Sequence, residues 1–139
     1  MSVYTGKYKK LDTYYYDYHA LAISLETSKI RKSCIEEEIK EYEEINPNYN
    51  EIKKLKALLM ARNNIIAIQE RELNAMKVVI ESFPKHLKKI EYDVYYMSII
   101  ENKSVEEISK LLNYTPQYIR IIRTNLLNEF IRFQRATQM

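Results

Sequence analysis

The sequence predicts an all-α chain: a long N-terminal helical hairpin followed by a C-terminal helix-turn-helix domain. Three observations predict it. The 139 residues hold one glycine, Gly6, and three prolines, where average usage near 7% would supply roughly ten glycines. Apolar residues recur at three- and four-residue spacing over two stretches of more than thirty residues. Two helix starts with capping chemistry stand close together near the C-terminus. Glycine-built phosphate loops and two-residue hairpin turns have little material here.

The first helix is expected from about Asp12 to Ile45. Leu21, Leu25, Ile35, Ile39 and Tyr42 keep a register that Ser28 and Lys32 interrupt, and Ile23, Ile30 and Cys34 add a neighbouring stripe. Together they predict a broad apolar face, as in a packed bundle. The run Glu36 to Glu44 reads as an acidic, solvated outer face. Among the many early tyrosines, Tyr4, Tyr8, Tyr14, Tyr15, Tyr16 and Tyr18 read as core and interface rings with wet hydroxyls.

Asn46-Pro47-Asn48-Tyr49-Asn50 breaks the pattern, and Asn48 with Glu51 can cap a second helix. That helix carries Ile52, Leu55, Leu59, Ile66, Leu73, Met76 and Ile80, with Arg62 and Gln69 as polar interruptions. A short loop between two long amphipathic helices folds them back antiparallel. Residues 1–82 are therefore the hairpin, a surface for homo-oligomerisation or another partner.

Phe83-Pro84 ends it, because the residue before proline resists the α conformation. Residues 83–139 form the second domain. Leu87, Ile90, Val94 and Met97 make an apolar stripe that Ile100 closes. Ser104 with Glu107 is a capping box, opening a two-turn helix with Val105, Ile108, Leu111 and Leu112 inward. Asn113 suits the left-handed conformation that ends a helix, and Thr115-Pro116 suits the start of the next. From Pro116, Ile119, Ile122, Leu126, Phe130 and Phe133 fall on one side; Gln117, Ile121, Thr124 and Asn128 fall opposite, flanked by Tyr118 and Arg120.

The net charge of +3 is uneven. Residues 113–139 hold Arg120, Arg123, Arg132 and Arg135 against Glu129 alone, and these are four of the seven arginines. Arginine suits bidentate contact with phosphate or guanine. A helix-turn-helix presents the N-terminal end of its second helix to the major groove. The expected partner is double-stranded DNA, with Thr115, Gln117, Tyr118, Arg120, Ile121, Arg123 and Thr124 as the binding residues. Thr115 and the first-turn N–H groups would hold phosphate, and Ile121 would meet a thymine methyl.

The run Asp93 to Met97, Ser104 to Ile108, then Tyr114 to Arg123 and Leu126-Leu127 resembles the region-four helix-turn-helix of bacterial sigma factors. There a capped S-x-x-E-I helix precedes a T-x-x-x-I-R-x-I recognition helix that reads the promoter −35 element. Over residues 85–133 the resemblance implies base contacts for Gln117, Tyr118, Arg120 and Ile121, core roles for Ile119 and Ile122, and RNA polymerase as a further partner. Asn113 departs from the glycine of many relatives, and Ile121 from a usual polar residue, so promoter preference does not transfer. The remaining 84 residues leave no room for sigma region two, and the layout is similar to phage late-transcription activators of the ArpU and RinA type. The function expected is sequence-specific transcription regulation, phage or prophage encoded. A phage small terminase subunit, which joins the same two parts in a ring, is the alternative.

Enzyme chemistry is not expected. His19, His86 and Cys34 show no metal spacing, no acid–base pair stands out, and no cofactor or metal is implied. A single cysteine, no apolar run near twenty residues and an N-terminus without an apolar centre point to the cytoplasm and away from membranes.

Overall fold

The computed structural model describes residues 9–45 and 47–137, so Gly6, Tyr4, Tyr8 and Asn46 lie outside the described residues. The chain is all-α: α1 (Leu11–Glu44), α2 (Tyr49–Ser82), α3 (Lys89–Tyr95), α4 (Val105–Leu112) and α5 (Pro116–Thr137). A 3₁₀ turn at Phe83–His86 and a π turn at Tyr96–Ile100 complete the order. No strand occurs among the described residues, and none of their helices is long and apolar enough to cross a membrane.

Packing divides the chain into two compact units. One is Tyr18–Met76, and the other joins the residues up to Asp17 with those from Lys77 onward. Phe83 is thus a break in helix, as its proline neighbour dictates, but not a break in packing.

In the first unit α1 and α2 run antiparallel, with Gln69 Nε2 donating to Ser24 Oγ at 2.9 Å and Lys56 Nζ 3.8 Å from Glu43. Asn48 Oδ1 caps α2 by accepting from Glu51 N–H at 3.2 Å. Leu25, Ile39, Leu55 and Ile66 are buried, and so is Ser28. The broad face expected for α1 is corrected to a narrow seam. Ile23 and Ile30 are 69% and 63% exposed, and Cys34 is exposed too. These three fall two positions beyond the seam in each heptad, about 200° around the helix, where the antiparallel partner cannot reach.

The second unit is built on α5, which packs against α3 and α4. Its centre is aromatic. Phe130, fully buried, meets Tyr14 and Phe83 edge to face at 5.1 and 5.0 Å, and Phe83 also contacts Tyr95 and Phe133. The Tyr15 and Tyr95 hydroxyls hydrogen-bond to each other. Burial pushes the Tyr14 and Tyr95 phenols up from 10 to about 12, so both rings stay neutral through the physiological range. Tyr16, expected with the other early tyrosines as a core or interface ring, is instead 73% exposed, because it lies about 100° around α1 from the buried Tyr15. The buried Gln134 grips the entry to α1: its Oε1 accepts from Lys9 N–H at 3.2 Å and its Nε2 donates to the Lys9 carbonyl.

Two inward positions differ from those expected. The π turn, closed by Glu101 N–H to the Tyr96 carbonyl at 3.0 Å, inserts a residue and shifts the helical phase. Ile100 is therefore 46% exposed rather than closing the stripe, and Ser98 is buried with its hydroxyl donating to the Val94 carbonyl at 2.6 Å. In α4, Leu111 is 59% exposed and Ser109 is buried in its place, because the inward arc runs through Val105, Ile108, Ser109 and Leu112 and Leu111 falls outside it.

Candidate nucleic-acid interface

Ser104 sets the start of α4 by accepting from Glu107 N–H at 3.2 Å, while the Glu107 carboxylate accepts from Ser104 N–H at 3.1 Å. The Ser104 backbone and hydroxyl hold the Glu107 carboxyl below its usual range. Asn113 then turns the chain in the left-handed conformation, φ 61° and ψ 44°, with Tyr114 N–H closing onto the Ser109 carbonyl at 3.1 Å. Asn102, at φ 54°, is the other non-glycine residue at positive φ among the described residues, ahead of α4. Substituting Asn113→Ala is expected to cost about 1 kcal/mol, since a Cβ without a local hydrogen-bonding group is disfavoured there. Asn113→Gly should leave the urea unfolding midpoint close to wild type.

Thr115 Oγ1 accepts from Tyr118 N–H at 3.2 Å and so caps α5. Ile119 and Ile122 anchor the helix inward, at 0% and 7% exposure. With those two fixed, the periodicity of α5 turns Gln117, Arg120, Ile121 and Thr124 outward. These four, with Asn125, line one shallow surface depression. Ile121 is 52% exposed within it. Thr115 and Tyr118 line a second depression with Asn113 and Tyr114, where the Tyr114 and Tyr118 rings approach to 4.9 Å. Arg123 is half-buried and borders neither.

Three participants were not singled out as site residues by the sequence. Asn125 completes the first depression and Tyr114 the second. Glu106, on the first turn of α4, receives Arg120 Nη2 at 3.2 Å. Both of these side chains are more than half exposed, so the pair contributes little stability but orients the guanidinium. Glu106 could have been found from the periodicity, because a capping box fixes which residues of a first turn face solvent.

The arrangement offers amide, guanidinium, methyl and hydroxyl groups along about two turns of one helix. Those groups match the donors, acceptors and apolar contacts available on base edges. No group of three or more His, Cys, Asp or Glu side chains among the described residues is gathered as a metal site. No protein-family model, curated protein or solved structure matches the chain.

Proposed function

We propose that this chain is a sequence-specific DNA-binding transcription regulator, encoded by a phage or prophage and acting in the cytoplasm. The first turns of α5 enter the major groove. Gln117 and Arg120 read base edges, Ile121 meets a thymine methyl, and Thr115, Tyr118, Arg123 and Thr124 contact backbone or flanking bases. The hairpin joins copies of the chain, and RNA polymerase is a further partner through the part that resembles sigma region four. One observation carries the reading: Gln117, Arg120, Ile121 and Thr124 share one exposed depression at the capped end of a helix that is rigidly packed behind them.

The test is to select bound duplexes from random sequence and titrate binding with salt. With roughly four phosphates neutralised, affinity should fall about 100-fold between 50 and 200 mM salt through counterion release. A chain that enriches no sequence and binds no duplex at low salt is not a DNA reader.

A further inference from the structure

The hairpin carries an exposed stripe on α2 that its own partner helix does not use. Lys54, Leu58, Ala61, Ile65, Ile68 and Glu72 follow one another at spacings of 4, 3, 4, 3 and 4, the period of a coiled-coil seam. Leu58, Ile65 and Ile68 are 56%, 40% and 52% exposed, and Ala61 and Glu72 are exposed as well. The stripe lies one position before the α1-facing residues in each heptad and is about 27 Å long.

Its numbering is symmetrical about residue 63. When two such helices run antiparallel across a two-fold axis at that level, Leu58 meets Ile68, Ala61 meets Ile65, and Lys54 meets Glu72. Every contact then occurs twice, which is what a self-complementary interface requires. A parallel pairing would set Lys54 against Lys54 and Glu72 against Glu72, so charge selects the antiparallel arrangement. In the single chain Lys54 rests on Glu51 of its own helix at 3.6 Å, an exposed contact that a partner carboxylate can replace. The outward Ile23 and Ile30 of α1 continue at the same spacing to Tyr16 on one side and Glu37 on the other, so no basic–acidic pair selects an orientation there.

The geometry points to a second copy of this chain as the occupant of this stripe, giving a two-fold dimer through α2. It deepens the proposal that the hairpin joins copies, and it is independent of what α5 reads.

Light scattering on the full chain should return the mass of two chains. Ile65→Asp, which buries a charge at the centre of the stripe, should weaken the dimer at least ~100-fold. Lys54→Glu and Glu72→Lys should each weaken it about 5-fold, and the double variant should regain most of the loss, because the two positions face each other across the axis. Far-UV circular dichroism of each variant checks that the helices are retained. A monomeric wild type, a larger ring, a dimer indifferent to Ile65→Asp, or charge reversals that add without rescue would each overturn the inference. So would dissociation by Ile30→Asp with Ile65→Asp silent. Selective DNA binding by a monomeric wild type would sink this dimer and leave the reading of α5 standing.

Discussion

Phe130→Ala is expected to lower the stability of the unit built on α5 by about 3–5 kcal/mol, the largest loss from any single substitution in the chain. The ring is fully buried and touches Tyr14 and Phe83 edge to face, so truncation removes its transfer free energy and two aromatic contacts at once. The cavity would open where α1, α5 and the 3₁₀ turn meet, and those backbones are already held by other buried rings. A small domain has about 5–15 kcal/mol in total. Phe130→Leu, which keeps much of the volume, should cost nearer 1 kcal/mol. The chain has thirteen tyrosines and no tryptophan, so near-ultraviolet circular dichroism of the tyrosines during urea titration reports on this cluster. An unchanged midpoint for Phe130→Ala would mean that the ring does not sit at the centre of the core.

Arg120→Ala and Gln117→Ala are expected to remove most of the selectivity for a selected duplex. A good bidentate base contact discriminates by about 1–3 kcal/mol, so each substitution should weaken specific binding by roughly 5- to 150-fold. The two should differ on random DNA. Gln117→Ala leaves non-specific affinity and its salt slope unchanged, whereas Arg120→Ala also removes a cation from the surface that meets phosphate. Retardation assays on selected and scrambled duplexes at two salt concentrations separate these outcomes. If both variants keep full selectivity, this face of α5 is not the reader.

The helices, their caps and the inward side of α5 were legible in the sequence because local chemistry determines them. Ser104 with Glu107, Asn113 and Thr115 each act on backbone groups within a few residues, and the period of α5 leaves Ile119, Ile122, Leu126 and Phe130 a single inward side. What was not legible depends on neighbours remote in sequence. Ile23 and Ile30 look like core by composition, yet only the path of α2 decides which arc of α1 is covered. The π turn at Tyr96–Ile100 carries no local marker such as proline or glycine, so the exchange of Ile100 for Ser98 could not be read from spacing. The grip of Gln134 on Lys9 joins residues 125 positions apart, and a polar side chain in an arginine-rich tail gives no sign of it. At the candidate interface the same division holds: the cap and the outward residues were readable, but the tie between Arg120 and Glu106 required the angle between two helices.

The seam between α1 and α2 is not uniform along its length. Its heptad register sets Lys32 near the level of Arg62, next to Ser28 and Gln69, and the buried Oε1 of Gln69 accepts no hydrogen bond from the described residues. Like charges and an unsatisfied acceptor in a seam weaken it locally. The middle of this seam is therefore its most polar stretch, set between the buried Leu25 and Ile66 and tied by the Gln69–Ser24 hydrogen bond, while Ile39 and Leu55 close it toward the turn. Neither helix contains a glycine or a proline, so the apolar seam is interrupted by side-chain chemistry and not by a break in the backbone.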